Sequence, residues 1–134
     1  MKKLMFRLII SFLVTMVLAS CKGNAGSNKI EVAMDDFSFT PEEFTISAGK
    51  EITVSITNSG KEAHEFVIFK QGLNAGDTFG DEDEANILWE IEAEPGATNT
   101  GTFTAPTQKG VYYVTCGIED HLGKGMVAYV IVVE

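Results

Sequence analysis

Residues 110–133 read GVYYVTCGIEDHLGKGMVAYVIVV, and this stretch decides the fold of the chain. Valine, isoleucine, tyrosine and threonine dominate both of its ends, and such β-branched and aromatic residues are typical of strands. Its middle is rich in glycine and charged residues, which is typical of a turn. The stretch therefore predicts two consecutive strands, 110–116 and 126–133, joined by a short loop.

Six further β-rich runs precede this pair, and none of them has helical periodicity. They cover residues 29–34, 43–47, 51–58, 65–70, 86–92 and 98–104, with breakers such as Ala48-Gly49-Lys50 and Pro95-Gly96 between them. Seven to eight short strands with turns at this spacing predict an all-β fold, a two-sheet antiparallel sandwich. The last strand is apolar on both faces, so we expect it to be central in a sheet or covered.

The charge of the chain disfavours two classes of partner. The chain has 134 residues, and three of its ten bases lie within the first 20, which leaves seven bases against nineteen acids and a net charge of −12. Nucleic-acid binding and polybasic membrane patches both depend on lysine and arginine. We therefore expect no nucleic-acid partner, and contact with a membrane only through a lipid anchor.

The N-terminus carries a targeting signal. Lys2, Lys3 and Arg7 precede an apolar stretch at 8–18 that is too short to span a bilayer. Leu18-Ala19-Ser20-Cys21 then resembles the lipobox of bacterial lipoproteins, which implies cleavage before Cys21 and acylation of its thiol. An ordinary secretory signal is the alternative. The predicted organisation is a signal peptide (1–20), a lipidated cysteine with a flexible tether (21–29) and a domain (30–134), at the cell envelope on the periplasmic or extracellular side of a bacterial membrane.

Residues 71–86 form the longest stretch without a clear pattern, and loops of that length are usually functional or mobile. The overlapping segment 77–94 contains eight acids and no base. A solvated face and a docking patch for a basic partner are both open interpretations. A calcium loop is a third, although the spacing of the acids does not match an EF-hand.

Four residues carry the chemistry: His64 at the head of a strand, and Cys116, His121 and Met126 in a Cys-x4-His-x4-Met pattern. If Cys21 is lipidated, Cys116 is the only free thiol in an oxidising compartment, where a lone thiol needs an explanation. A Cys21–Cys116 disulfide is one alternative. A His2Cys set with a weak axial Met is the ligand description of a mononuclear blue-copper electron-transfer site. Zinc competes for such ligands, because it also accepts His and Cys.

Residues 110–121, with Gly125-Met126, resemble the cupredoxins, especially small plastocyanin-like, auracyanin-like and sulfocyanin-like forms. The resemblance covers 30–134 and is strongest over 110–134. It implies an eight-stranded Greek-key β-sandwich that holds one copper ion cycling between Cu(I) and Cu(II). It also implies that His64, Cys116 and His121 are equatorial ligands and Met126 is the axial ligand.

The resemblance further implies that His121 reaches the surface and is the exit for the electron, within an apolar rim of Ile118, Leu122 and Gly123. Two positions depart from the family pattern. Glu65 stands where many members have Asn, and Thr115 stands where the plastocyanin route uses Tyr.

The leading hypothesis is an electron carrier that moves single electrons between larger redox proteins. We expect a monomer, and a basic partner such as a c-type cytochrome, or an oxidase or reductase. The alternative is a copper-binding or delivery module, or a non-blue cupredoxin-like domain, without an electron-transfer role. An enzyme is not expected, because a second copper centre needs further histidines and the chain has only His64 and His121.

Overall fold

The computed structural model describes residues 25–134 of the chain, and this part contains nine β-strands. In chain order they are β1 (Lys29–Asp35), β2 (Ser38–Thr40), β3 (Glu43–Ser47), β4 (Glu51–Asn58), β5 (His64–Phe69), β6 (Ile87–Ala93), β7 (Thr98–Thr104), β8 (Gly110–Thr115) and β9 (Val127–Val133). Two 3₁₀ helices, Asp81–Asn86 and Leu122–Lys124, lie between strands. The predicted signal peptide and Cys21 lie outside the described residues.

The strands form two sheets that pack into a sandwich. One sheet has the order β2-β1-β4-β7 and the other has the order β3-β9-β8-β5-β6. The predicted all-β Greek-key sandwich is confirmed, and β9 is an interior strand of its sheet, covered on both sides by β3 and β8, in agreement with its two apolar faces. The eight predicted strands all form, with ends that differ by one residue at most.

The prediction of wholly antiparallel sheets is wrong. β1 pairs parallel with β4, and β3 pairs parallel with β9. Between β1 and β4 the chain crosses to the other sheet to form β3, and such a crossover returns the chain in the same direction. The ninth strand, β2, was not predicted because three residues before Pro41 are too few to show alternation.

Alternating side chains build the core between the sheets. Ile52, Val54 and Ile56 of β4 are fully buried, and the threonine and serine residues between them point outward, as predicted. Phe66 of β5 meets Phe39 of β2 edge-to-face, with ring centroids 5.3 Å apart, and Phe44 of β3 at 5.7 Å. The Phe66–Phe39 contact joins the two sheets near the start of β5, and the Phe66–Phe44 contact lies within one sheet.

Pairing with the sandwich begins inside the segment predicted as a tether. Ser27 donates its backbone N–H to the Thr45 carbonyl at 2.9 Å, and the Asn28 carbonyl accepts from Thr53 at 3.0 Å. The described chain is therefore bonded to β3 and β4 before the domain boundary predicted at residue 30. Among residues 25–134, we find no helix with the length and apolar character needed to cross a membrane.

Three strand ends meet at one end of the five-stranded sheet. β5 starts at His64 beside the end of β8, because Val67 pairs with Thr115. β8 and β9 are antiparallel neighbours in which Thr115 pairs with Val127. The residues just outside these pairs, Cys116 and Met126, therefore reach the same end of the sheet as His64.

Candidate metal centre

Three soft or nitrogen donors converge at this end of the sheet. His64 Nδ1 lies 3.2 Å from His121 Nδ1, and Cys116 Sγ lies 3.4 Å from His121 Nδ1 and 4.0 Å from His64 Nδ1. All three side chains are buried, with no more than 1% of any of them exposed. The donor atoms therefore share one small, water-excluded volume.

Met126 is tied to two of these residues through its backbone. Its carbonyl accepts the Cys116 N–H at 3.2 Å and the Thr115 hydroxyl at 3.1 Å, and its own N–H donates to the His121 carbonyl at 3.3 Å. Its side chain is fully buried. The structure thus brings together all four residues that the sequence singles out.

The loop between β8 and β9 holds its shape through its own backbone. The His121 carbonyl accepts the Lys124 N–H at 3.1 Å, and the Leu122 carbonyl accepts the Gly125 N–H at 2.9 Å. Gly125 has a φ of +91°, in the left-handed region that glycine occupies without a Cβ clash. The spacing from His121 to Met126 is thereby set by one 3₁₀ turn that closes on glycine.

The sulfur of Cys116 sits in an apolar and partly anionic environment. Burial raises the pKa of its thiol above the ordinary value, while the backbone N–H of Glu65, 3.3 Å from Sγ, acts in the opposite direction. The thiolate is the metal-binding form of cysteine. Because burial disfavours this thiolate, a bound cation has to provide the positive charge that stabilises it. Cys116 has no disulfide partner within residues 25–134, and the alternative pairing with Cys21 involves a residue outside that part.

Each imidazole has a carboxylate behind it. His64 Nε2 lies 3.0 Å from Asp36 Oδ1, and His121 Nε2 lies 2.9 Å from Glu62 Oε2. In both rings Nδ1 faces the other donors while Nε2 faces the carboxylate. Asp36 and Glu62 are not among the residues that the sequence singles out, and nothing in the sequence pattern around them marks them as partners of histidine.

The expectation that His121 reaches the surface is wrong. Only 1% of this residue is exposed. The ring of Phe37 packs against the His121 ring with centroids 4.8 Å apart, and the Glu62 carboxylate is hydrogen-bonded to His121 Nε2. Of the predicted rim, Ile118 and Leu122 are partly buried and Gly123 is exposed.

The Glu65 carboxyl group, next to the site, has a strongly raised pKa. Burial, together with the charges of Glu90, Glu92 and Glu84, raises the pKa of Glu65 to about 7. Part of the acidic segment 77–94 therefore lies close enough to act on the residue after His64. Asp83 differs from the other acids of this segment because it is buried and accepts the Gly80 N–H at 3.0 Å, which closes the Asp81–Asn86 helix.

The spacing of the donors fits a metal ion. An ion about 2.05 Å from each nitrogen and about 2.3 Å from sulfur, at near-tetrahedral angles, places the nitrogens about 3.4 Å apart and each nitrogen about 3.6 Å from sulfur. The observed separations of 3.2, 3.4 and 4.0 Å bracket these values. A thiolate, two imidazoles and a nearby thioether form the donor set that copper electron-transfer sites use. The residues present therefore fit copper.

A Greek-key sandwich with one buried His2Cys centre beside a methionine defines a class of small metal-binding β proteins. The family model described as a cupredoxin-like domain matches residues 8–129, most of the chain. The chain therefore belongs to the cupredoxin-like family, and the resemblance noted from the sequence is confirmed.

Named relatives agree with this assignment. Auracyanin-A of Chloroflexus aurantiacus is 28% identical over 151 residues, which cover 89% of this chain and 93% of the relative. The structure of dithionite-reduced auracyanin from Roseiflexus castenholzii matches with a TM-score of 0.70 and 31% identity, over 82% of this chain and all of that one. Auracyanin A, described as a "blue" copper protein from Chloroflexus aurantiacus, matches with a TM-score of 0.60 and 24% identity, over 78% of this chain and 98% of that one.

Proposed function

We propose that the protein is a mononuclear, type 1 blue copper protein that carries single electrons between larger redox partners at the cell envelope. The convergence of His64 Nδ1, His121 Nδ1 and Cys116 Sγ in one buried cluster is the observation that carries this proposal. Copper held there supplies a one-electron Cu(I)/Cu(II) couple. His64, Cys116 and His121 would hold the ion, and Met126 would add a weak thioether donor.

The protein's contribution is rigidity and the exclusion of water. His64 is held on β5, where it pairs with Ala93 of β6, and the other three ligands lie on one hydrogen-bonded turn. Side chains fixed in this way move little when the charge of the centre changes. Four protein ligands around one ion leave no position for a substrate, so we propose a carrier and not an enzyme.

The net charge suggests the kind of redox partner, and the N-terminal signal suggests the location of the protein. The net charge of −12 after residue 20 favours a basic partner such as a c-type cytochrome, or an oxidase or reductase. Association with such a partner slows as salt is added, because ions screen the attraction. We place the protein, as a monomer, on the periplasmic or extracellular side of a bacterial membrane, anchored by lipid on Cys21.

Copper reconstitution tests the proposed function. Metal-free protein, stripped with a chelator, should bind one Cu(II) per chain and develop an intense visible colour from thiolate-to-copper charge transfer. Ascorbate should bleach the colour, and reoxidation should restore it. Zinc-loaded protein is the colourless control. A colourless copper complex would assign the chain to the alternative class, a copper-binding or delivery module, and no copper binding would contradict both.

Replacing Met126 should change the potential and keep the colour. In Met126→Leu the thioether is lost from a buried position, so Cu(II) loses a weak donor and Cu(I) is favoured. We expect the Cu(I)/Cu(II) ratio at fixed ambient potential to rise about tenfold, a shift of about 59 mV. Met34→Leu, at a buried methionine of β1, is the matched control for a redox titration. An unchanged potential in Met126→Leu would remove Met126 from the ligand set.

A further inference from the structure

The carboxylates behind the two imidazoles form a connected unit. Asp36 accepts backbone N–H groups from Lys61 at 3.0 Å and from Glu62 at 3.3 Å, in addition to its bond with His64. The side chain of that same Glu62 bonds to His121. Asp36 therefore holds one imidazole directly, and it also holds the backbone of the residue that contacts the other.

The donor and acceptor roles in these bonds follow from the groups present. An ionised carboxylate offers only acceptors, so each imidazole must donate its Nε2–H. Asp36 also accepts backbone N–H groups from Lys61 and Glu62, so all of its side-chain bonds use it as an acceptor, as expected of an ionised carboxylate. With the proton on Nε2, the lone pair of Nδ1 faces the donor cluster.

We propose that Asp36 and Glu62 are positioning residues for the metal centre, one for each imidazole, and that together they favour its cupric state. This inference rests on the proposed copper site. A carboxylate behind a ligating histidine fixes the orientation and tautomer of the ring and raises its basicity as a ligand. Two anionic groups near the ion also stabilise the higher charge of Cu(II) over Cu(I).

The two carboxylates differ in how firmly they are held. The side chain of Asp36 is 23% exposed and has three protein partners, while that of Glu62 is 54% exposed and has one. Solvent screens an exposed carboxylate, so Glu62 contributes less. Removing the charge of Asp36 should therefore have the larger effect.

Redox titration of copper-loaded variants tests the charge. At fixed ambient potential, Asp36→Asn should raise the Cu(I)/Cu(II) ratio about tenfold, and Glu62→Gln about threefold; tenfold corresponds to about 59 mV. Glu94→Gln is the matched control. It removes one exposed carboxylate just after Ala93, the residue that pairs with His64, with no side-chain bond to either imidazole. Its ratio should stay within about twofold of wild type.

A second variant tests the hydrogen bond with the charge kept. A Cβ at Gly60 would overlap Asp36 Oδ1 and lie 3.0 Å from His64 Nε2, so in Gly60→Ala we expect the Asp36 carboxylate to be displaced from its present bond with the ring. The potential should rise as in Asp36→Asn, although no charge has been removed. Shifts in Asp36→Asn, Glu62→Gln and Gly60→Ala no larger than that of Glu94→Gln would overturn the proposal.

NMR of the histidine Nε2 protons separates a failure of this inference from a failure of the proposed copper function. In the diamagnetic Cu(I) form, both Nε2 protons should give downfield NMR signals protected from solvent exchange. Glu62→Gln should speed exchange of the His121 proton alone, and unprotected Nε2 protons in wild type would overturn the inference. A wild type without a coloured copper complex overturns the proposed function. The same protons in its zinc form then decide whether Asp36 and Glu62 hold the imidazoles.

Discussion

Replacing Cys116 by serine should abolish the visible colour of the copper-loaded protein while leaving the sandwich folded. The colour of such a centre requires a thiolate, and a serine hydroxyl is a poor ligand that does not ionise at neutral pH. Loss of one outer partner of a ligand already costs 10–100-fold in metal affinity. We therefore expect copper affinity to fall by more than about 100-fold, measured by competition with a chelator.

The fold should survive because serine keeps the shape of this buried position. The backbone N–H of Glu65, which donates to Cys116 Sγ, retains an acceptor in the serine oxygen. Far-UV circular dichroism of the metal-free variant checks this. Cys21→Ser is the matched control, since it removes the other cysteine of the chain and should keep the full colour. A Cys116→Ser protein as blue as wild type would show that the ligand assignment is wrong.

The part of the centre that is local in sequence was predictable from spacing. Cys116, His121 and Met126 lie on one turn between neighbouring strands, so the pattern of types and intervals already places them together. His64 is different, because it arrives through the pairing of β5 with β8. Its place in the set rested on its position at the head of a strand and on the chain having only two histidines, and the resemblance to the cupredoxins then implied the same role.

The surroundings of the centre were not predictable in the same way. Asp36 is 28 residues from His64, and Glu62 is 59 residues from His121. Their contacts depend on the path of two loops, which alternation of apolar residues does not encode. The same loops cover His121, with Phe37 against its ring, and this is why the predicted exposed exit is buried.

The positions of most strands could be predicted from the sequence, but the pairing of strands could not. The alternation of β4 and the apolar run of β9 were readable because burial acts on each residue locally. Which sheet a strand joins depends on where the chain crosses over, and neither the β1–β4 nor the β3–β9 parallel pairing leaves a mark in the pattern. The short strand β2, at the edge of its sheet, also leaves no pattern from which it could be predicted.

Replacing Phe66 by alanine should cost about 3–5 kcal/mol of unfolding free energy. Its ring is fully buried, and it contacts Phe39 of the opposite sheet and Phe44 of its own. Removing the ring leaves a cavity between the sheets that the flanking strands cannot close without breaking their pairing. Urea unfolding of the metal-free protein is the appropriate measurement, because a metal that binds only the folded state adds its own stabilisation.

Val111→Ala on β8 is the matched control, because 54% of Val111 is exposed. Its expected loss is below about 1 kcal/mol, the span of strand propensities. A loss of that small size in Phe66→Ala would mean that the sheets are not joined at this residue. A large loss accompanied by weaker copper binding would carry a further meaning, since Phe66 lies two residues beyond His64 on β5. It would show that the packing of the sheets, and not the loop alone, holds the first imidazole in place.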